Sequence, residues 1–330
     1  MKGYLLQPSA GEHCFRPAAQ QRARRRLRCG VTLPELLVAI AIVGVLASLT
    51  LPAVQSAREA VRRSSCANNL RMLGMAIHLH HDARGHFPTS TSPFVEGNQP
   101  ATGRDGSGWI VRTLPYAEQH PLQSQFSRFL GGEFLAGGGL KHPDCLPLIQ
   151  TRLSVLHCPS DSSCRELSDQ QIQWVGTPVA LTSYKGVIGD NRMGGAASIF
   201  QGSEPDCLST GECNGMFYRL TYQQPTFMAS VTDGLSTTLA IGEDVPAENH
   251  HSAAFYANGD FASAHAPLNY FPPLPTPDDW WNVMSFRSGH AGGAFFCFAD
   301  GHVQFVADSI DHVLYRALST RNGAETDIAP

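Results

Sequence analysis

From Leu36 to Val54 the chain runs for 19 residues without a formal charge. At a rise of about 1.5 Å per residue, a helix of that length covers roughly the 30 Å of a bilayer's hydrocarbon, so the pattern predicts a membrane-spanning helix. Gly44 and Pro52 are positions at which such a span can kink. Beyond it, Cys66, Leu70, Leu73 and Ile77 recur at intervals of four, three and four. That is the spacing of one stripe along a continuing helix, with Arg58, Arg62, Arg63 and Arg71 falling largely off it. A single helix from about Leu33 to His81 would place its first half in lipid and lay its second half on a globular head.

After Pro88 the helical period disappears and Gly, Pro, Ser and Thr become frequent, which predicts a loop-rich β structure. The cluster Phe271-Pro272-Pro273-Leu274-Pro275 marks an exposed loop. The clearest strand pair runs from Gly293 to Phe298 and from His302 to Val306. Asp300-Gly301 stands at its bend, a dipeptide that reaches positive φ cheaply. Phe296 and Phe298 alternate onto one face, Phe295 and Cys297 onto the other. The expected fold is therefore α+β: a long N-terminal helix packed through its apolar stripe on an antiparallel sheet. The expected organisation is a basic leader over 1–30, a transmembrane helix over 31–54, an amphipathic continuation over 55–87 and a β head over 88–330.

Charge sharpens the picture. Residues 1 to 30 hold seven basic side chains against the single acid Glu12, leaving 17 basic and 27 acidic residues in the remainder. Arginines just before a single span stay cytoplasmic by the positive-inside rule, which sends the head across the membrane. An acidic body without a basic patch argues against nucleic acid as a partner. Gln55, Arg58 and Glu59 follow the apolar run where a cleaved secretory signal would place small residues. Cys29 precedes the run, where a lipoprotein would place its cysteine after one. Glu35 is the oddity at the head of the run. Dragged ionised to the bilayer centre it would cost on the order of 2.5 to 3.5 kcal/mol, so it needs a partner or a wet location.

The residues Gly30-Val31-Thr32-Leu33-Pro34-Glu35-Leu36-Leu37-Val38, behind a basic leader, resemble the cleavage and methylation signal of type IV pilins and type II secretion pseudopilins. The resemblance implies that a prepilin peptidase cuts between Gly30 and Val31 and methylates the new N-terminus, Val31 standing where the family usually has Phe. It also implies that Glu35 meets the N-terminal ammonium of a neighbouring subunit during assembly. Such a desolvated ion pair is favourable with both partners present and costly with one missing. The other reading of Glu35 is a carboxylate solvated at headgroup level. Pro34 falls in the first turn of the helix, where its missing N–H costs nothing.

Further blocks resemble a large group of pilin-like proteins known as domain of unknown function 1559. They are "PAVQSAREAVRRSSCANNLRMLGMAIHLHHDARGHFP", "GWIVRTLPYAEQHPL", "LHCPSD", "TSYKGVIGDN", "VTDGLSTTLAIGE" and "SGHAGGAFFCFADGHVQF", in that family's order. The last contains His290, nine residues, then Asp300-Gly301, the family's C-terminal signature. This resemblance implies fold and location more than activity.

Candidate chemistry in the head is sparse. His290 with Asp300 is a legitimate acid–base or ligand pair, but Asp300 has sufficient work in the turn and His290 sits in a Ser288-Gly289-His290 loop. Asp233-Gly234 with Ser236 reads as a turn rather than a nucleophile constellation. The sequence contains no G-x-S-x-G, HExxH or phosphate-cradling glycine loop, so no enzyme and no cofactor are expected. Among His78, His80, His81, Asp82 and His86, helical spacing could bring two metal ligands together. The alternative is a polar helix end stopped by Gly85 and left by Phe87-Pro88. No loop matches the calcium site of some pseudopilins. Outside the leader's Cys14 and Cys29 there are seven cysteines. Cys207 and Cys213 could close a small disulfide loop and Cys158 could pair with Cys145 or Cys164, with Cys66 or Cys297 simply buried.

The expected function is a pilin- or pseudopilin-like structural subunit, anchored in lipid, processed by prepilin peptidase and self-assembling or joining other pilin-like subunits. The alternative is a membrane-anchored head that captures a solute or glycan without forming filaments.

Overall fold

The computed structural model of the protein describes residues 32–95, 99–203, 207, 211–271 and 280–323. Gly30 and Val31 at the implied cleavage point, Cys14 and Cys29 of the leader, and the prolines at 272, 273 and 275 lie outside the described residues. Two compact units divide after Val54.

One helix, α1 (Leu33–Arg84), contributes to both units. Among the described residues it is the helix long and apolar enough to cross a membrane. In the first unit its large side chains are uncovered: Leu36, Val43 and Leu49 are 58%, 64% and 69% exposed. A helix apolar all round has no stable place in water and calls for lipid or another protein. The helix starts on a local device that answers part of the Glu35 question. Glu35 Oε2 accepts hydrogen bonds from the Thr32 backbone N–H at 2.9 Å and the Thr32 hydroxyl at 2.8 Å. The sequence Thr32-Leu33-Pro34-Glu35 thus forms one arm of a capping box, in which the third helical residue reaches back to an amide that the helix leaves unpaired. Leu36 N–H donates to Thr32 O at 3.1 Å, closing the first turn.

In the second unit α1 presents the buried line Cys66, Ala67, Leu70, Leu73, Gly74, Ala76, Ile77 and His80. It ends at Gly85, whose φ of +80° carries the chain out of the helix while its N–H donates to His81 O at 2.7 Å. A short two-stranded ribbon, β1 (Phe94–Val95) with β2 (Gln99–Pro100), follows. Three short helices come next: α2 (Trp109–Thr113), α3 (His120–Phe126) and α4 (Leu146–Ile149). Trp109, Phe126 and Ile149 join the core that receives the α1 stripe.

The main sheet has five strands: β3 (Tyr184–Val187), β4 (Leu239–Glu243), β5 (Phe261–Ala262), β6 (Gly293–Phe298) and β7 (Val303–Ala307), in the order β5-β3-β4-β6-β7. Its pairs are antiparallel except one. β5 runs parallel to β3, which corrects the expectation of a wholly antiparallel sheet. The cause is connectivity. β4 lies between β3 and β5 in sequence, and the chain crosses back after β4 to add β5 at the far edge of β3. A short helix α5 (Trp280–Val283) precedes β6, and α6 (His312–Ala317) follows β7.

The alternation read from β6 sets the layers. Cys297 joins the core of Cys66, Leu70, Leu73 and Ile77 on the α1 side. Phe296 and Phe298 point to the other side, into a second core with Phe286 and with Tyr315 of α6. The hairpin bends through Ala299-Asp300-Gly301-His302, with Gly301 at φ +91° and its N–H donating to Phe298 O at 2.9 Å. Gly74 sets how closely α1 can lie on the sheet. A Cβ at that position would fall 2.7 Å from Cys297 Sγ, well inside contact distance, so the helix is seated at a depth that admits no side chain there.

Gly74→Ala is expected to lower the unfolding midpoint of the detergent-solubilised chain, because the clash outweighs the roughly 1 kcal/mol that alanine gains in helix propensity. Adding Cys297→Ala should reverse the sign and leave Gly74→Ala neutral or stabilising. An equal loss from Gly74→Ala in the wild-type and Cys297→Ala backgrounds would show that the close approach does not limit the packing.

Candidate functional site

The blocks that carry the family resemblance are far apart in sequence, and five of them contribute to one junction between α1 and the sheet. At its centre is His290, 3% exposed, in the loop leading to β6. Its Nδ1 lies 2.7 Å from Glu59 Oε1 of α1, and its Nε2 lies 3.5 Å from Glu243 Oε1 at the end of β4. Beside it, Cys66 of α1 and Cys158 form a disulfide across 92 residues of sequence, and Cys158 Sγ stands 3.5 Å from His290 Nε2.

Each member is held by local bonds. The loop Ser288-Gly289-His290 is tied back by His290 N–H donating to Ser288 Oγ at 3.1 Å and by Ser288 N–H donating to Asn269 Oδ1 at 2.8 Å. Glu243 Oε2 accepts from the Ser288 hydroxyl and from Phe295 N–H, both at 2.8 Å. Glu59 Oε2 receives Arg62 at 2.6 Å one turn along the helix, and the Ser160 hydroxyl reaches Oε1 at 3.2 Å. Phe295 sets its ring edge-on to the imidazole at 5.5 Å. Further along α1, Asn69 Nδ2 donates to His157 O at 3.0 Å and Tyr184 Oη at 3.3 Å. Arg63, off the stripe, lays its guanidinium 4.1 Å over the Phe305 ring of β7.

The electrostatics follow from this placement. Burial pulls the His290 imidazole down, but the carboxylates of Glu243 and Glu59 outweigh it and raise its pKa above the ordinary 6.5. Burial pushes the Glu59 carboxyl up, but the bonds from His290 and Arg62 outweigh that and hold it below its ordinary 4.5. The two carboxylates thereby favour the imidazolium over the neutral ring, and it joins a helix side chain to a strand side chain. Behind Glu243, the next residue, Asp244, is fully buried with Lys185 Nζ at 3.0 Å and Arg287 Nη2 at 3.4 Å. Ser252 Oγ and Asn249 Nδ2 each donate to Asp244 Oδ2 at 3.1 Å, so this buried charge is both paired and hydrogen-bonded.

The two ends of the His-x9-Asp-Gly motif have separate partners. Asp300 Oδ1 accepts from His302 N–H at 3.0 Å and contacts His302 Nδ1 at 2.6 Å, inside the hairpin turn, while Asp300 N–H donates to Leu235 O at 3.0 Å. Gly301 supplies the positive φ of that bend, below His78 of α1, whose Cδ2 would stand 3.5 Å from a Cβ there. The acid–base pair weighed for His290 with Asp300 is therefore replaced by His290 with Glu59 and Glu243.

Other sequence candidates fall elsewhere. His80 Nδ1 contacts His86 O at 3.1 Å and His86 Nδ1 contacts Phe87 O at 2.7 Å, so these rings serve the end of the helix. Burial carries the His80 pKa down to about 4, which suits a neutral ring. Gly234 has a φ of +102°, and Asp233 Oδ2 accepts from Gly323 N–H at 2.6 Å, a turn braced by the C-terminal segment. Cys207 and Cys213 form a disulfide. Cys158 pairs with Cys66, not with Cys145 or Cys164, and Cys145, Cys164 and Cys297 are buried free thiols. Sequence spacing favours near neighbours, whereas here the loop carrying Cys158 is delivered to α1 by the Asn69 bonds.

Glu59 and Glu243 were not singled out from the sequence. Glu59 had a signal: it stands seven residues before Cys66, on the line of the apolar stripe, where a carboxylate needs a partner. Among the described residues, the His, Cys and carboxylate atoms able to surround one ion are those of Cys66, Cys158, Glu243 and His290.

His290→Gln is expected to cost on the order of 3 kcal/mol, because it leaves Glu243 buried without its cation. The sign of the pH dependence follows from the two shifts. The raised His290 pKa contributes stability that is complete below 6.5 and is lost as pH climbs through the folded value. The lowered Glu59 pKa contributes stability that is present above 4.5 and fades as pH falls. The gap in unfolding midpoint between wild type and His290→Gln should therefore be widest between 4.5 and 6.5 and narrow on either side. A gap independent of pH would contradict the ion-pair assignment.

Comparison with known families finds two matches. The family described as "Protein of unknown function (DUF1559)" matches residues 55–312, and the "Prokaryotic N-terminal methylation motif" matches residues 25–51. No curated protein and no solved structure matches the chain. The first match begins where the second compact unit begins, covers most of the chain and includes every residue of the junction around His290, so the chain belongs to the DUF1559 family, with a prokaryotic N-terminal methylation motif ahead of it.

Proposed function

We propose that this protein is a pilin-like structural subunit with no reaction of its own. The observation that carries the reading is the division of labour along α1. Its first part, within the methylation-motif match, is an uncovered apolar helix, and its later part is built into the head by a buried stripe, a disulfide and a partly buried ion pair. Prepilin peptidase cuts after Gly30, the new N-terminus at Val31 is methylated, and the helix stays in the membrane as the subunit's anchor. The basic leader keeps the N-terminus cytoplasmic, and the head faces the periplasm or the exterior.

Glu35 has two tasks in this reading. Its Oε2 caps its own helix through Thr32, which fixes the carboxylate at the start of the rod. Its other oxygen then meets the Val31 ammonium of a neighbouring subunit, and a pair formed out of water penalises any register that leaves one partner alone.

A second reading, an anchored head that captures a solute or glycan without assembling, is supported by a groove of about 610 Å³ beside β7 and α6, lined by Gln304, Val306, Ile310 and Leu314 among others. The groove is apolar with a few polar groups, the ordinary make-up of a small-ligand site.

Co-expression with a prepilin peptidase separates these readings. Wild type should lose residues 1–30 and begin at Val31 by intact mass, Gly30→Ala should keep its full mass, and Glu35→Gln should be cut and stay in the membrane yet yield no sheared filaments. Equal masses for wild type and Gly30→Ala would remove the processing step. Normal processing with no filaments from wild type would favour the anchored binder.

A further inference from the structure

The residues around His290 form a donor set that a structural clasp alone does not require. Cys66 Sγ, Cys158 Sγ, His290 Nε2 and Glu243 Oε1 lie within 4.8 Å of one another, and all four residues are buried. Two sulfurs, an imidazole nitrogen and a carboxylate oxygen suit a borderline-soft divalent ion such as zinc.

Three features point the same way. The first is spacing: His290 Nε2 is 3.5 Å from Cys158 Sγ and 3.5 Å from Glu243 Oε1. The edges of a tetrahedron with metal bonds of about 2.0 to 2.3 Å run roughly 3.3 to 3.8 Å, so His290 Nε2 already stands at ligand separation from the other two atoms. The second is the split use of Glu243. Its Oε2 takes two hydrogen bonds, from Ser288 and Phe295, whereas its buried Oε1, aimed into the cluster, makes no hydrogen bond and has only the long 3.5 Å ion pair to His290 Nε2. A buried carboxylate oxygen held by one long ion pair is poorly satisfied, and a metal cation is a closer answer to it. The third is the bond at 2.7 Å between Glu59 Oε1 and His290 Nδ1. A carboxylate on the far nitrogen of an imidazole fixes the tautomer that turns the Nε2 lone pair toward a metal.

We propose that, when Cys66 and Cys158 are thiols, these two residues with His290 and Glu243 bind one divalent transition-metal ion of the zinc class. The contact between α1 and β4 is then closed in either of two ways, by the disulfide or by the ion. Binding transfers no electrons. Each thiol gives up its proton as its sulfur takes the ion, and a charged His290 gives up the proton on Nε2. The two thiolates and Glu243 leave one net negative charge on the loaded site, near Arg62 at Glu59. A newly exported chain carries the thiols before it is oxidised. From the disulfide they are regenerated by two electrons from a phosphine and two protons from the water whose oxygen the phosphine takes to become its oxide.

The test uses the full chain in detergent with Cys14→Ser and Cys29→Ser, reduced with a water-soluble phosphine and titrated with Co²⁺ as a spectroscopic stand-in, then with Zn²⁺. The expected result is one equivalent of Co²⁺ with a thiolate charge-transfer band and the intense d–d bands of a tetrahedral site, displaced by zinc and absent from the oxidised chain. Cys158→Ser should weaken the charge-transfer band and the affinity. Glu59→Gln, which removes no ligand, should weaken binding by about 10- to 100-fold. Failure of the reduced chain to bind, or a spectrum unchanged in Cys158→Ser and so owed to other cysteines, would overturn the proposal. If Cys158→Ser does not fold, an affinity unchanged in Glu59→Gln overturns it equally.

Discussion

The His290 imidazole, held between a helix carboxylate and a strand carboxylate, is the interaction on which the second unit's architecture depends. An apolar stripe can fix which face of a helix is buried, but it fixes the helix's position along its own axis poorly, since a shift of one turn presents a similar row of side chains. Directional bonds remove that freedom. Glu59 can reach His290, and Cys66 can reach Cys158, in one register of α1 on the sheet, two turns of helix apart. The disulfide alone, closing 92 residues, constrains the unfolded chain by roughly 4 to 5 kcal/mol in the chain-entropy account. Gly74, seated on Cys297, sets the depth at which the helix lies.

This arrangement gives the family's signature a physical content. In the His-x9-Asp-Gly motif the histidine joins the sheet to the helix, and the Asp-Gly turns the hairpin that places β7 at the sheet edge. The nine intervening residues are largely β6, the strand whose two faces meet α1 on one side and α6 on the other. The spacing is thus the length of one strand between a clasp and a turn. In the proposed reading, load on a membrane anchor would reach the head through this junction, where a disulfide lies beside a partly buried ion pair.

How much of this was legible in the sequence varies with the range of the interaction. The apolar run, the stripe from Cys66 to Ile77 and the β6–β7 hairpin are local patterns with a period, and each is present in the structure. The capping arm of Glu35 is equally local, in Thr32-Leu33-Pro34-Glu35. The parallel placement of β5 and the pairing of Cys66 with Cys158 were not legible. They depend on where loops of many residues return the chain, which no spacing encodes. His290 stood out as a residue type, but its partners Glu59 and Glu243 lie 231 and 47 positions away and belong to different elements.

The most direct measurement is a double-mutant cycle on Glu59→Gln and His290→Gln, read as unfolding free energy of the detergent-solubilised chain near pH 6. If the clasp joins helix to sheet as described, the double variant loses less than the sum of the single variants, with a coupling of at least about 1 kcal/mol. Additive losses would mean that the two side chains act independently, and that α1 owes its register to something other than this pair.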